Sequence, residues 1–298
     1  MYNHIAANKR KTWFLIALVA AVLIALFWLL GTMYGLEVGP SIALGTVVST
    51  VFTLFSYYQS DTIALATSGA KQVTKDQAPE LWNLVENLTI ANGMPMPKVH
   101  VINDDALNAF ATGRDPEHAS IAFTTGLLRS LNKTELEGVA AHELSHVKNY
   151  DIRVMTIVVV LIGAVMLVAD ILLRSTMFRG RDDKSGNVGL ILFFLGLALA
   201  ILSPLFAELI KLAVSRSREY LADSSGALLT RYPEGLASAL EKIAAAEQPM
   251  RRANHATAHL FIANPFAAHA KRTSWFGSLF STHPPIDERI ARLRSMGT

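Results

Sequence analysis

The chain has 298 residues, 51% of them hydrophobic, and a formal net charge of +3. Its mean hydropathy of +0.33 is high for a soluble protein and indicates a membrane protein. Because the sequence contains no cysteine, it excludes thiolate metal sites, cysteine nucleophiles and disulfides, and any metal must be bound by His, Asp or Glu. The small net charge forms no long basic stripe, which argues against a nucleic-acid partner.

Four apolar segments follow along the chain, over residues 13–30, 38–58, 154–173 and 188–214. The first two are each near the roughly 20 residues that a membrane-spanning helix needs. A basic cluster at residues 9–11 precedes the first segment, and the connection to the second contains no Lys or Arg. This asymmetry predicts that the N-terminus and the region after the second segment are cytoplasmic. The basic loop between the third and fourth segments runs against the same rule, which leaves open whether that pair crosses the membrane fully.

These segments divide the chain into four predicted parts. Residues 1–60 form a transmembrane hairpin, residues 61–153 a first cytoplasmic catalytic part, residues 154–214 a second transmembrane hairpin, and residues 215–298 a second cytoplasmic catalytic part. The sequence after the first apolar segment has no small-x-small cleavage site, so we interpret that segment as an uncleaved anchor.

The two cytoplasmic parts have the patterns of a mixed globular unit. "APELWNLVENLTIANG" has helical apolar spacing and ends at a glycine. "KVHVI" and "SIAFTT" alternate as short strands do, with "NAFATG" between them as a candidate further strand. The tail is largely helical, and "PPIDERIARLRSM" predicts an amphipathic closing helix. The predicted fold class is mainly α with a small β-sheet (α+β), anchored in the membrane by four apolar helices.

An H-E-x-x-H motif is formed by His142, Glu143 and His146. Asn132, followed three positions later by Glu135, predicts the cap of a helix that carries this motif. On a helix the two histidines stand about 40° apart and one turn apart, so both can reach one ion, while the glutamate is rotated by about 100° and can serve as a base. Zinc in such a site lowers the pKa of its water to about 7 and polarises a carbonyl, as peptide hydrolysis requires. The alternative is a chance combination of common residues on a surface helix.

A third ligand is needed, and "SRSREYLADSSG" offers Glu219 with Asp223 one turn later. Glu219 could bind the metal while Asp223 supports a histidine ring. The alternative is a solvated charged face, since two arginines lie in the same stretch. A competing histidine pair, His255 and His259, has the same i, i+4 spacing but no adjacent carboxylate, and packing or surface positions account for it better than a metal site does.

At these residues the chain resembles the HtpX family of bacterial membrane zinc metalloproteases, which are relatives of the CAAX prenyl endopeptidases. The likeness covers nearly the whole chain through "NAFATG", "AAHELSHVKNYD", "SREYLADSSGA", "HLFIANP" and "STHPPIDERI". It implies a gluzincin-type site that binds one zinc ion per chain, with Glu219 as the third ligand and Asp223 as its supporting carboxylate.

The resemblance also implies the groups that meet the substrate. "NAFATG" is expected to form an edge strand to which an extended substrate adds its backbone; its substrate-binding residues are Asn108, Ala109, Phe110 and Ala111. His283 and Arg289 are similar to the family's groups near the substrate carbonyl, which gives His283 a catalytic role and Arg289 a substrate-binding role. For His283, the position before two prolines leaves the capping of a turn as an alternative.

The position of the site relative to the apolar segments leads to a functional hypothesis. If Glu219 and the two histidines share one ion, the apolar pair between them must leave and return on the same side, which brings the zinc close to the bilayer. Together with this position, the resemblance implies a zinc endopeptidase of the bacterial cytoplasmic membrane, a multi-pass protein whose active site faces the cytoplasm. Glu143 would be its general base. The resemblance further implies that its substrates are misfolded or damaged membrane proteins and unfolded polypeptides, as in membrane protein quality control under stress. The alternatives are a CAAX-type processing protease and a non-enzymatic membrane scaffold with a structural metal site.

Overall fold

Two long helices open the chain in the computed structural model, which describes the ranges 2–33, 35–158, 216–246, 248–253, 257–266 and 284–297. Helix α1 spans Tyr2–Met33 and helix α2 spans Val38–Ser68. Both are long and apolar enough to cross a membrane, and most of their length is not buried by protein. They pack antiparallel, with a contact face of small residues on α2 at Ser41, Gly45, Ser49, Ser56 and Ser60.

The first two predicted apolar segments are therefore confirmed as helices, each longer than its apolar run. The third and fourth segments, residues 154–173 and 188–214, lie outside the described residues except for 154–158, which belong to a helical stretch over residues 151–158. Within the described ranges two helices, not four, pass the test for a membrane span. The expectation of four apolar helices stays a prediction.

A four-stranded mixed sheet follows the hairpin, in the order β1-β2-β4-β3. Strands β2 and β4 are parallel, and the two outer pairs are antiparallel. The strands are β1 (Ala70–Gln72), β2 (Lys98–Ile102), β3 (Ala109–Gly113) and β4 (Ala119–Thr124). The three strands predicted from alternation are confirmed. Strand β1 was not predicted, because three residues are too few to show a period of two.

Besides the helical stretch over residues 151–158, six further helices surround the sheet in the described part of the chain. They are α3 (Pro79–Asn92), α4 (Thr125–Ser130), α5 (Lys133–Lys148), α6 (Arg216–Thr230), α7 (Pro233–Ala245) and α8 (Ile286–Ser295), with short 3-10 turns at Pro116–His118 and Ala258–Leu260. Gly93 ends α3 with φ 63°, as its predicted glycine stop requires. The predicted α+β class with mainly helical content is confirmed.

The main core lies between the sheet and the helices around α5. Apolar side chains from β2, β4, α5 and α7 fill it, among them Val99, Ile121, Phe123, Leu144, Leu236 and Leu240. Gly138 of α5 lets the backbone of α7 approach closely, since a Cβ there would lie 2.6 Å from the amide nitrogen of Leu236. Helix α5 is thus held on several sides, which gives the side chains it carries a rigid support.

Candidate active site

Helix α5 begins at a reciprocal cap. The Asn132 side chain accepts a hydrogen bond from the Glu135 amide at 3.0 Å, and the Glu135 carboxylate accepts one from the Asn132 amide at 2.8 Å. Lys242 of α7 binds the same carboxylate at 2.7 Å. The predicted capping box and the predicted helix for the H-E-x-x-H motif are confirmed, and the cap fixes where the helix starts.

Three side chains that the sequence proposed as metal ligands meet inside the protein. The Nε2 atoms of His142 and His146 are 3.2 Å apart, and Glu219 of α6 places one carboxylate oxygen 3.4 Å from His146 Nε2. Two ligands about 2.05 Å from one tetrahedral ion would be about 3.3 Å apart. The spacing of the three side chains therefore matches a set of ligands around one ion, and they could hold zinc.

The close approach of α6 to α5 depends on a glycine that sequence reasoning missed. A Cβ on Gly226 would lie 3.0 Å from the amide nitrogen of His142. The missing side chain lets the two helix backbones touch, and this contact carries Glu219 to the histidines. The signal in the sequence is a glycine inside an otherwise helical stretch, which often marks a packing contact.

Asp223 lies behind His142, one turn along α6 from Glu219. Its carboxylate is 2.9 Å from His142 Nδ1 and accepts two hydrogen bonds from the Arg289 guanidinium, at 2.9 and 2.7 Å. Burial alone would raise the pKa of Asp223, but the charge and hydrogen bonds of Arg289 and the contact with His142 outweigh burial and lower the pKa to about 2. The carboxylate is therefore charged at neutral pH and fixes the ring of His142.

Asp151 holds the second histidine in the same way. One carboxylate oxygen of Asp151 lies 3.1 Å from His146 Nδ1. Sequence reasoning missed this residue because it follows the end of α5. Tyr150 adopts a left-handed backbone with φ 59°, and this turn brings Asp151 back to the histidine.

The two histidines differ in their preferred charge. Burial lowers the pKa of His142, and the positive charge of Arg289 adds to that effect. Burial also disfavours the charged form of His146, but Asp151, Glu219 and Glu143 outweigh it and raise the pKa of His146 to about 9. In the absence of a metal this pocket thus attracts a proton, as expected where buried carboxylates surround a site for a cation.

Glu143 is buried beside the three candidate ligands. Burial raises the pKa of its carboxyl, and the negative charge of Glu219 raises it further, to about 7. The charge of His146 and the backbone amide of Ala111 in β3 act in the opposite direction. A carboxyl with a pKa near 7 has the properties of a general base that works at neutral pH.

The outer edge of β3 is partly occupied by the chain itself. The Asn108 amide binds the backbone of Ala263 at 2.9 and 3.2 Å, and the Ile262 amide donates to the Ala109 carbonyl at 3.0 Å. Phe110 bridges Phe261, with ring centroids 5.0 Å apart. Of the four residues expected to bind substrate, the first three therefore contact residues 261–263 in this structure, and Ala111 faces Glu143. Their substrate-binding role stays a prediction.

The remaining predicted residues have different positions. Arg289 is buried against Asp223, as described above, and its expected contact with substrate stays a prediction. His283 and His255 lie outside the described residues. His259 is buried with Nε2 2.9 Å from the Met155 carbonyl, and within the described ranges it joins no group of three ligand-type side chains.

Comparisons with known proteins identify the family of this chain. The family model of peptidase family M48 matches residues 75–297. The protease HtpX homolog of Dictyoglomus turgidum is 48% identical over 298 residues, covering 99% of this chain and 95% of that protein. The protease HtpX homolog of Tropheryma whipplei (strain Twist) is 47% identical over 298 residues, covering 100% of this chain and 99% of that protein.

A solved structure supports the fold. The crystal structure of S. mikatae Ste24p has a TM-score of 0.51 with this chain at 20% sequence identity, covering 98% of this chain and 67% of that one. At this identity the likeness shows the fold alone. With the family match, the two membrane-capable helices and the site at α5 and α6, the conclusion is that this chain belongs to peptidase family M48 and is a membrane metalloprotease.

Proposed function

We propose that this chain is a zinc endopeptidase of the bacterial cytoplasmic membrane, with His142, His146 and Glu219 as the metal ligands and Glu143 as the general base. The observation that carries the proposal is the separation of the three ligand side chains. The Nε2 atoms of His142 and His146 are 3.2 Å apart, and a Glu219 carboxylate oxygen lies 3.4 Å from His146 Nε2. This spacing fits one tetrahedral ion of the size and ligand preference of zinc.

Zinc in this site would lower the pKa of a water and polarise the peptide carbonyl. The residues of the chain supply the rest of the reaction. Glu143 takes a proton from the attacking water and delivers it to the leaving amine, a task for which its raised pKa suits it. Asp223 and Asp151 hold the histidine rings by Nδ1, so that Nε2 of each ring points to the common centre.

We also propose that the site faces the cytoplasm close to the bilayer. The protein would have four apolar helices, with boundaries between its two transmembrane hairpins and two cytoplasmic parts after residues 60, 153 and 214. Aromatic and basic residues near the ends of the first two apolar segments support this location. Lys9 lies over the Tyr150 ring at 4.7 Å, and Arg153 donates to the Tyr57 hydroxyl at 2.9 Å. Such pairs are typical of the membrane surface, and Tyr150 is only four residues beyond His146.

The proposed substrates are misfolded or damaged membrane proteins and unfolded polypeptides. Residues 261–263 already contact β3 at Asn108, Ala109 and Phe110, so we expect a substrate to pair with β3 at Ala111, beside Glu143. Such pairing supports this choice because it binds an extended backbone with little regard to side chains. The three-ligand set also supports an enzyme over a scaffold, because structural zinc sites are usually closed by four protein ligands and have no use for a buried base.

The test compares three substrates in liposomes that contain the purified full-length chain and zinc. They are an unfolded membrane protein, the same protein folded, and a prenylated C-terminal peptide. Wild type should cleave the unfolded protein, whereas Glu143→Gln should not. Glu137→Gln, in a carboxylate of the same helix that pairs with Lys133, is the matched control and should retain activity. Cleavage restricted to the prenylated peptide would favour a CAAX-type protease, and zinc binding without any cleavage would favour a scaffold.

A further inference from the structure

A buried amide in the first membrane helix needs an explanation. Asn8 of α1 is only 3% exposed, whereas Trp13, farther along the same helix, is 61% exposed. Burying an amide is unfavourable unless its donors and acceptor are satisfied. Asn8 is therefore held by specific partners.

Those partners belong to the catalytic part of the chain. The Asn8 side-chain nitrogen donates to the Asn149 carbonyl at 3.0 Å and to Asp151 Oδ1 at 2.7 Å. Its side-chain oxygen accepts from Arg218 Nη1 at 3.3 Å. Because the carbonyl and the carboxylate can only accept and the guanidinium can only donate, a single orientation of the Asn8 amide satisfies all three.

The same carboxylate supports a proposed metal ligand. Asp151 uses Oδ1 for Asn8 and Oδ2 for His146 Nδ1, at 3.1 Å. Arg218 also reaches Oδ1, at 3.4 Å, and it immediately precedes Glu219 on α6. The amide in α1 thus lies two hydrogen bonds from the imidazole that faces the metal centre.

We propose that Asn8 is a positioning residue of the metal site, which it orients through Asp151 and His146. This inference rests on the proposed function. In this arrangement the first apolar helix is a structural part of the active site as well as an anchor. A carboxylate with a fixed orientation holds the imidazole in one tautomer and at one angle, and losing such a support typically costs 10–100-fold in metal affinity.

Other buried polar groups of the hairpin contrast with Asn8. The Thr12 hydroxyl donates to the Asn8 carbonyl inside α1, and the Ser49 hydroxyl donates from α2 to the Ala20 carbonyl at 3.4 Å. Ser49 is as buried as Asn8, but its bond lies within the hairpin. It provides a matched control that removes a buried hydrogen bond without touching the site.

The experiment uses full-length protein in detergent and compares wild type with Asn8→Leu, which keeps the branched shape and heavy-atom count of the side chain and removes its hydrogen bonds. Zinc affinity is measured by competition with a chelator, and the ligand field is measured by the absorption bands of Co²⁺ loaded into the metal-free protein. Asn8→Leu should weaken zinc binding by about 10–100-fold and shift the Co²⁺ bands. Ser49→Ala should change neither.

A double-mutant cycle separates positioning from general destabilisation. In an Asp151→Asn background, Asn8→Leu should have little further effect on zinc affinity, because the link that it acts through is already weakened. If Asn8→Leu fails to fold, Asn8→Ser replaces it, since a hydroxyl can keep one of the hydrogen bonds, and an intermediate loss of affinity is expected.

Three results would overturn the inference. The first is a folded Asn8 variant with wild-type zinc affinity and Co²⁺ bands, and the second is an equal loss in the wild-type and Asp151→Asn backgrounds. The third is an equal loss in Ser49→Ala. A wild-type protein that binds no zinc would instead overturn the proposed function, on which the inference rests.

Discussion

Replacing Asp223 by Asn should destabilise the protein strongly, because the buried Arg289 guanidinium loses its nearest carboxylate, at 2.7 Å, and keeps only Glu219 at 3.8 Å. The Asp223 carboxylate accepts two hydrogen bonds from Arg289, and both side chains are almost completely buried. Breaking a buried pair by removing one partner costs about 3–5 kcal/mol. For a chain of this size that corresponds to a fall in melting temperature of roughly 10 °C.

The lowered pKa of Asp223 reflects the same interaction. The folded protein lowers this pKa from 3.8 to about 2, which corresponds to roughly 2 kcal/mol. Because the folded pKa is depressed, this stability is present above pH 3.8 and is lost as the pH falls through about 2. At neutral pH the whole contribution is therefore present in wild type.

The assay is thermal unfolding of the metal-free protein in detergent at pH 7.5, followed by intrinsic fluorescence. Asp223→Asn, Arg289→Met and the double variant are compared with wild type. The double variant should lose less stability than the sum of the single variants, because it leaves no buried charge unpaired. Glu234→Gln is the control. It removes an exposed ion-pair partner of Arg294, which lies on α8 like Arg289, and it should change the melting temperature little. A melting temperature of Asp223→Asn within about 2 °C of wild type, or additive single effects, would refute this reasoning.

Three further predictions concern the metal site. Glu143→Gln should retain about one zinc per chain while losing hydrolysis, whereas Glu219→Gln should lose most of its zinc and most of its activity. Cleavage by Glu143→Gln at the wild-type rate would contradict the assignment of Glu143 as the general base. Because the pKa of His146 is raised to about 9, zinc must displace a proton from this ring below that pH. The apparent zinc affinity, measured by chelator competition, should therefore rise about tenfold per pH unit between about pH 7 and 9. A zinc affinity that does not change with pH would contradict this prediction. Gly226→Ala should weaken zinc binding, because the added Cβ separates α6 from α5. Ser224→Ala, nearby on the same helix, should leave zinc binding unchanged. Equal zinc affinities of Gly226→Ala and wild type would show that the contact at Gly226 does not position Glu219.

The parts of the fold and site that depend on local patterns could be predicted from the sequence. The cap at Asn132 and Glu135 lies beside the helix that it starts, and the i, i+4 spacing of His142 and His146 alone places both rings on one face. Short strands with clear alternation were predicted for the same reason. Glu219 came into consideration only as one of several charged residues, and the family resemblance selected it.

The residues that were missed act over long distances in the sequence. Asn8 lies 143 residues before Asp151, and neither belongs to a motif whose spacing suggests contact with the other. The pairing of residues 261–263 with β3 and the close approach at Gly226 arise only when separate elements pack. Periodicity describes which face of an element is buried, but it does not say which partner covers that face.

The central claim is best tested by measuring zinc content together with reversible loss of activity. Purified full-length protein is analysed for zinc, and cleavage of an unfolded casein-like substrate is followed before chelation, after chelation and after zinc is returned. The account predicts about one zinc per chain, with activity that disappears on chelation and returns with zinc. Cleavage that persists in the metal-free protein, or a wild-type chain that binds no zinc, would contradict it.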